Sequence, residues 1–280
     1  MDLPQLIKTC ITEQRAFDYL FSQSQETSRI HCPSCNSTDY YLMNRKRLRC
    51  RTCRRDYHPF YGTPFTRLKI PVVSWLLLIK LFELEVSARK ASSQLDISYP
   101  TTLKAFELFR RSIIYHLAKD DDLLRGEIEA DESYFGGKRK GKRGRGSRNK
   151  TIVFGILERR GKVSVSIVRD ASAESLMMET VKKVRRGSIV YTDKWRGYNS
   201  LLFCGYKHLN IDHRYKFKQG KVYINGVEGF WAFAKERLIK FHGISQHKFL
   251  LYIKEMEWRY NNREKVLFTD LIHIILGADH

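Results

Sequence analysis

The chain has 280 residues, 42% of them hydrophobic and 12% aromatic, which excludes a largely disordered protein and provides cores for about two domains. Lysine and arginine number 51 against 30 acidic residues, and this formal net charge of +21, spread over several segments, favours nucleic acid as a partner over a membrane surface. Because no apolar run reaches the ~18 residues of a membrane span and the first residues do not form a secretory signal, we expect an intracellular protein, in the cytoplasm or nucleoid of a bacterium or in the nucleus of a eukaryote.

Residues 1–28 predict a short helical segment, and residues 29–60 carry two cysteine pairs. The four cysteines share the spacing C-x2-C-x14-C-x2-C and are Cys32, Cys35, Cys50 and Cys53. Each pair forms a tight turn that directs two thiolates at one point, and two such pairs complete a tetrahedral Zn²⁺ site. We therefore predict a structural zinc ribbon whose surrounding basic residues suit contact with DNA. Free or redox-active thiols, and a ribbon with no DNA contact, are the alternatives.

Residues 70–119 show the apolar spacing of helices. The run PVVSWLLLIKLFELE predicts a helix with Pro71 in its first turn. The following runs ARKASSQL and TTLKAFELFRR, separated by DISYP, resemble a helix-turn-helix, in which the second helix enters the major groove of DNA. Helices that pack together without touching DNA are the alternative.

From Gly126 the pattern changes to that of strands. The runs EIEADESYF, TIVFGILER and KVSVSIVRD are followed by an amphipathic helix at 172–184, the strands SIVYTD and YKHLNI, and helices at 227–241 and 246–260. This order predicts an α/β layered domain over residues 126–265, with a tail helix at 266–280.

One low-complexity segment, residues 138–150, joins the first two strands of this domain and holds eight lysine or arginine residues among thirteen. We predict that these cations contact DNA phosphates, because each paired cation releases counterions from DNA. A solvated loop is the alternative. The cations are Lys138, Arg139, Lys140, Lys142, Arg143, Arg145, Arg148 and Lys150.

Three carboxylates lie within or at the ends of the predicted elements: Asp131 in the first strand of the α/β domain, Asp193 at the end of its fourth strand, and Glu228 in the first turn of a helix. Adjacent strands can bring two carboxylates to one cleft, and a helix packed there can supply the third. Hard oxygen ligands suit two Mg²⁺ or Mn²⁺ ions ~3.5–4 Å apart, which activate an attacking hydroxyl and stabilise the leaving oxygen in phosphodiester chemistry. The alternative is solvated surface acids, and three neighbours compete with Asp131 for the role: Glu127, Glu129 and Glu132.

The strings IEADESYFGGKRKGKRGRGS, YTDKWRGY, INGVEGFWAFAKERL and WRYNNR resemble the insertion-sequence DDE transposases of the ISXO type, the group numbered fifteen ninety-five, whose eukaryotic kin are the Merlin transposases. The resemblance runs from the cysteine pairs to Arg263. It implies an RNase H-like catalytic domain, with a mixed sheet and flanking helices, that cleaves DNA at transposon ends and joins the released 3′ ends to target DNA. It also implies a homodimer or higher assembly on DNA.

The resemblance further implies a role for each matching residue. Asp131, Asp193 and Glu228 match the three metal-binding acids, and Lys235 matches a basic residue that touches DNA near the active site. Some members have Asn as the third ligand, so Asn225 is the alternative to Glu228; an amide oxygen can bind a hard cation but supplies no charge. Two rival interpretations are a domesticated, non-catalytic zinc-ribbon DNA-binding protein and a nuclease that cuts without joining.

Other side chains near these motifs have two interpretations each. Three tryptophans can stack on DNA bases or belong to the core, and we expect the core because aromatic residues at helical spacing are more often buried. They are Trp195, Trp231 and Trp258. His208 and His213 flank the last strand and can lie near the metals or serve an ordinary structural role, which we expect.

Overall fold

The computed structural model describes residues 1–9, 12–43, 46–120, 122–136, 150–193, 205–211, 224–241 and 243–278. The chain divides into two compact units, the first made of Met1–Lys119 with Glu264–His280 and the second of Asp120–Arg263. Across the described ranges, no helix is both long and apolar enough to cross a membrane.

The first unit combines a small antiparallel sheet with helices. Its strands, in the order β1-β2-β3, are β1 (Tyr40–Met43), β2 (Arg47–Cys50) and β3 (Asp56–Tyr57). Its helices are α1 (Leu3–Thr9), α2 (Glu13–Glu26), α3 (Val72–Glu83), α4 (Ala88–Leu95), α5 (Tyr99–Ala118) and, from the end of the chain, α9 (Leu267–Leu276). A short 3-10 helix, Pro64–Thr66, precedes α3.

Hydroxyl side chains begin three of these helices, as the sequence chemistry favours. Thr12 before α2, Ser87 before α4 and Ser98 before α5 each accept a hydrogen bond from a backbone amide in the first turn. Between α3 and α5, the rings of Phe82 and Phe109 pack edge to face with centroids 5.4 Å apart. These aromatic contacts form part of a core that buries α3 and α5.

The second unit is a five-stranded sheet with helices on both faces. Its strands are β4 (Glu127–Phe135), β5 (Thr151–Glu158), β6 (Val163–Val168), β7 (Ile189–Asp193) and β8 (Lys207–Ile211), in the order β6-β5-β4-β7-β8. β5 is antiparallel to both of its neighbours, whereas β4, β7 and β8 run parallel. Its helices are α6 (Ala173–Lys183), α7 (Asn225–Leu238) and α8 (Phe249–Asn261), the last preceded by a 3-10 turn, Gln246–Lys248.

Alternation along the strands gives this sheet two apolar faces. One face, with Val153 and Leu157 of β5, packs against Val227 and Phe230 of α7 and against α8. The other face packs against α6 through residues that include Ile128, Ala130, Phe154, Ile156 and Leu176. The odd-numbered residues of β4 therefore lie on the side of α7.

Candidate functional site

The four cysteines of the first unit converge on one point. The sulfurs of Cys32 and Cys53 lie 3.4 Å apart, those of Cys35 and Cys50 lie 3.5 Å apart, and all four lie within 4.8 Å of one another. A zinc ion with Zn–S bonds of ~2.3 Å places tetrahedral sulfurs ~3.8 Å apart. The four thiols are free of disulfides and fit a single tetrahedral metal ion.

Two similar turns build this cluster. Asn36 follows the first cysteine pair and Arg54 follows the second, and both adopt the left-handed conformation, with φ of 58° and 62°. In each turn the amide of that residue donates to the carbonyl of the first cysteine of the pair, Cys32 or Cys50. The backbone thus turns back on itself and directs both sulfurs of a pair to the same side.

The electrostatics of the cluster favour a bound cation. The Cys53 amide, together with neighbouring thiols, lowers the pKa of Cys50 to about 6 despite burial. For Cys35 the Ser37 amide acts to lower the pKa, but burial and the adjacent sulfurs raise it to about 12, because a second thiolate beside the first is disfavoured. A dication removes that penalty, since metal binding to thiols requires their deprotonation.

In the second unit, two of the three predicted acids belong to neighbouring parallel strands, β4 and β7. In the parallel pair of β4 and β7, Glu129 lies opposite Tyr191, so the paired residue numbers differ by 62. Asp131 and Asp193 differ by the same 62 and stand two residues further along each strand. The two backbone positions therefore stand equally far beyond the last paired residues of these neighbouring strands. Asp193 is described by its backbone alone.

Asp131 is half-buried and held by a tryptophan from α7. The indole Nε1–H of Trp231 donates to Asp131 Oδ2 at 3.0 Å. Trp231 reaches the strand because it lies over Gly155, which pairs with Asp131 across the sheet. A Cβ on Gly155 would meet the indole ring at 2.6 Å, so only glycine leaves room for it there.

A second carboxylate of β4 holds the beginning of α7. Glu129 is 1% exposed, and its Oε2 accepts a hydrogen bond of 3.0 Å from the backbone amide of Val227 in the first turn. The approach is close, because a Cβ on Gly226 would meet Glu129 Oε2 at 2.8 Å. A carboxylate at this end of a helix is stabilised by the free amides and by the helix dipole.

The charge of Glu129 is balanced inside the unit. Arg159 donates from Nε to Glu129 Oε1 at 2.9 Å, and its guanidinium lies over the ring of Tyr191 at 3.8 Å from the centroid. The Tyr191 hydroxyl donates to Glu127 at 2.7 Å. Burial, followed by this contact with Glu127, raises the pKa of Tyr191, so the phenol remains a donor. The network ties β4, β5 and β7 to the N-terminal end of α7.

The third predicted acid, Glu228, is exposed in the first turn of α7. Residues three and seven positions further on, Trp231 and Lys235, lie on the same side of the helix. Trp231 bonds Asp131, and the Lys235 amine lies 5.8 Å from the ring centroid of Phe135 at the end of β4. Glu228 and Lys235 thus flank the side of α7 that faces the Asp131 level of the sheet. Asn225 is exposed one turn before Glu228, as the first residue of α7.

His208 and Trp258, for which the sequence allowed a role at the site or a structural one, have structural roles. His208 bonds the buried Thr192 through Nε2 at 2.8 Å, and burial lowers the pKa of His208. It pairs with Val190, which packs on the α6 face, so it lies on the opposite face from Asp131. Trp258 is 1% exposed in the core. Trp195 and His213 lie outside the described residues.

The basic segment predicted to contact DNA lies almost entirely outside the described ranges, which include only its last residue, the half-buried Lys150. The predicted contacts of residues 138–149 therefore stay predictions. Sequence reasoning missed the roles of Trp231 and Glu129. The alternation of three acids in EIEADES offered one signal, because Glu127, Glu129 and Asp131 share a face.

Comparison with known proteins gives a consistent result. The family model of the ISXO2-like transposase domain matches residues 123–261. An uncharacterized transposase-like protein of Haemophilus influenzae is 42% identical over 118 residues, which are 42% of this chain and 96% of that protein. An uncharacterized protein in transposable element ISH50 of Halobacterium salinarum is 25% identical over 278 residues, covering 90% of this chain and 92% of the relative.

Among solved structures, the Mos1 transposase paired-end complex with left transposon end is 12% identical, covers 68% of this chain and 76% of its own, and has a TM-score of 0.27. The Mos1 strand transfer complex is 11% identical, covers 73% and 75%, and has a TM-score of 0.30. Similarity this low supports no inference about this chain. The sequence comparisons are sufficient, and the chain belongs to the ISXO2-like transposase family.

Proposed function

We propose that this protein is a DDE transposase that binds transposon ends and catalyses metal-dependent DNA cleavage and strand transfer. The observation that carries the proposal is that Asp131 and Asp193 each stand two residues beyond the Glu129–Tyr191 pair on adjacent parallel strands, in a unit whose helix α7 bears Glu228. Membership of the ISXO2-like transposase family supports the same conclusion. The mixed sheet, with one antiparallel strand between two others and parallel strands beyond, is the arrangement expected of an RNase H-like domain.

The proposed metal ligands are Asp131, Asp193 and Glu228, which offer the hard oxygen atoms that Mg²⁺ and Mn²⁺ prefer. When bound, a pair of such ions activates the attacking water or 3′-hydroxyl and stabilises the leaving oxygen. Trp231 donates a hydrogen bond to Oδ2 of Asp131, and this bond fixes the orientation of the whole carboxylate. Lys235 adds a cation for the DNA backbone on the same side of α7.

The first unit supplies the proposed recognition of transposon ends. Its cysteine cluster holds one structural Zn²⁺ and stiffens a small sheet bearing exposed basic residues such as Arg47 and Arg51. Helices α4 and α5, joined by a short turn, are the candidate helix-turn-helix, with the exposed Tyr99 at the start of the second helix. Because two ends must be paired, we propose a homodimer or higher assembly on DNA.

The test is a strand-transfer assay with Mg²⁺, the element's own ends and purified full-length protein. Asp131→Asn and Asp193→Asn should each abolish joining, because an amide cannot replace the charge of a metal-bridging carboxylate, while binding of the ends stays nearly unchanged. Glu132→Gln, which changes the neighbour of Asp131 in the same strand, is the matched control and should retain joining. Joining by both Asp variants would refute the acidic triad.

The same assay addresses the rival functions. Tight binding of the ends without cleavage, across metals and end lengths, would indicate a domesticated DNA-binding protein. Cleavage without joining would indicate a nuclease.

A further inference from the structure

An open cavity of about 930 Å³ lies in the second unit at the edge of the sheet where β4 and β7 begin and β5 ends. Five arginines and three glutamates are among the residues that line it. The arginines come from three separate loops and are Arg125, Arg159, Arg160, Arg185 and Arg186. A site assembled from three loops is not a by-product of one basic run of sequence.

The acidic residues of the cavity are already engaged. Glu129 pairs with Arg159, Glu127 accepts from Tyr191, and Glu158 accepts from the backbone amide of Arg125 at 3.3 Å. Arg159 and the three glutamates therefore form the floor of the cavity. The floor holds three carboxylates against the one guanidinium of Arg159. The remaining four arginines belong to the rim and give the cavity as a whole a net positive charge.

The rim arginines are exposed, and no ion pair ties them to another side chain within the described part of the chain. They are Arg125, Arg160, Arg185 and Arg186. Gly126 follows Arg125 and Gly187 follows Arg186, and both glycines have positive φ, of 80° and 87°. They turn the chain towards β4 and β7. Guanidinium groups present planar donors that suit phosphate oxygens.

The rim stands at a fixed distance from the proposed catalytic acids. β4 begins at Glu127 and reaches Asp131 four residues later, which is ~13 Å at ~3.3 Å per residue. Duplex DNA rises ~3.4 Å per base pair, so this span corresponds to about four base pairs. A duplex that lies along β4 with its reacting phosphate at Asp131 has backbone phosphates at the level of the rim.

We propose that this arginine rim binds backbone phosphates of duplex DNA about four base pairs from the reacting phosphate. The inference rests on the proposed function, since it takes DNA as the substrate. The residues of the rim are different from those of the basic segment 138–150 and of the first unit. Its role is to fix the position of the duplex along the sheet, because phosphate contacts set register and orientation.

The test uses Arg160→Gln and Arg186→Gln, which lie on two different loops of the rim. Binding of the element's end duplex is measured against salt concentration by fluorescence anisotropy. The slope of log affinity against log salt is negative, and each substitution should reduce its magnitude by about 0.9 and the double variant by about 1.8, because each lost phosphate contact removes one counterion-release event. Arg169→Gln, an exposed arginine that follows β6 at the opposite end of the sheet, is the matched control and should leave the slope unchanged.

A second arm varies the DNA. A second set of duplexes is shortened to fewer than four base pairs on one side of the cleavage position at a time. Shortening one of the two sides should remove the difference in slope between wild type and the double variant, whereas shortening the other side should not. Slopes equal to that of Arg169→Gln would overturn the rim as a phosphate site. Failure of the wild type to bind any end duplex would instead refute the proposed function, so the two failures are distinguishable.

Discussion

The cysteine cluster and the acidic site are built in opposite ways. The four cysteines lie within 22 residues, from Cys32 to Cys53, and two local turns bring their sulfurs together. The acidic site depends on contacts between residues about 100 positions apart in the chain, such as Trp231 with Asp131 and Val227 with Glu129. The first cluster is a property of a short peptide, whereas the second exists only when the sheet and α7 are correctly packed.

This difference predicts that the cysteine cluster fails locally and completely. Cys35→Ser removes one of the four predicted zinc ligands from a sheet that is too small to fold without the metal. Zinc binding to such sites contributes an apparent ~10–16 kcal/mol to folding, and the variant loses this contribution. We expect loss of bound zinc and of specific end binding, measured by metal content and by anisotropy. Ser34→Ala, in the same turn but not a ligand, should retain both. Full zinc content in Cys35→Ser would contradict the four-cysteine site.

The same difference explains how much could be predicted from the sequence. The spacing of the cysteines predicted which sulfurs would meet, because the turns that bring them together are local. The strand EIEADESYF was predicted with the bounds that β4 has, from Glu127 to Phe135. What alternation could not show is which of its acids is buried, because the partner Arg159 and the amide of Val227 arrive from β5 and α7.

The beginning of α7 illustrates the limit further. Apolar spacing predicted a helix from Val227, but α7 begins at Asn225, because the Glu129 carboxylate satisfies an amide in its first turn. Trp231 was expected to belong to the core, which is confirmed by its 4% exposure. Its bond to Asp131 depends on the sheet register and on Gly155, and neither is visible in the helical pattern of α7.

If the acidic site depends on long-range packing, its largest sensitivity should lie at Glu129. Glu129→Gln keeps the shape and an acceptor for the Val227 amide but removes the buried negative charge that pairs with Arg159. We expect a loss of about 3–5 kcal/mol in the free energy of unfolding of the second unit, as for other broken buried pairs. Urea denaturation measures it.

Glu132→Gln is the control for this change, since Glu132 is half-buried in the same strand. A loss no larger in Glu129→Gln than in Glu132→Gln would mean that the beginning of α7 is held by packing alone. The buried charge of Glu129 would then not contribute to the long-range packing on which the acidic site depends.

Trp231→Phe should have a smaller effect on folding and a specific one on chemistry. The substitution keeps an aromatic ring over Gly155 but removes the donor to Asp131. Loss of a residue that orients a metal ligand typically costs 10–100-fold in metal affinity or activity. We expect the Mn²⁺ concentration for half-maximal strand transfer to rise by about that factor.

Trp258→Phe provides the matched control, because Trp258 is equally buried in the core of the same unit. It should lower the stability without moving the Mn²⁺ requirement. An equal rise in both variants would reduce Trp231 to a packing residue.

The smallest expected effect concerns the choice of the third ligand. Asn225 and Glu228 are both exposed in the first turn of α7, so exposure does not separate them. Glu228 lies three and seven residues before Trp231 and Lys235, the spacing of neighbours on one side of a helix, whereas Asn225 lies six and ten residues before them. Asn225→Ala should therefore change strand transfer by no more than about threefold, or ~0.6 kcal/mol in activation free energy, whereas Glu228→Gln should abolish it. Rates for both variants at saturating Mn²⁺ decide between the two residues. If Asn225→Ala were inactive and Glu228→Gln active, the third ligand would lie one turn earlier, and the site would depend on the first residue of α7, whose position Glu129 fixes through the helix amides.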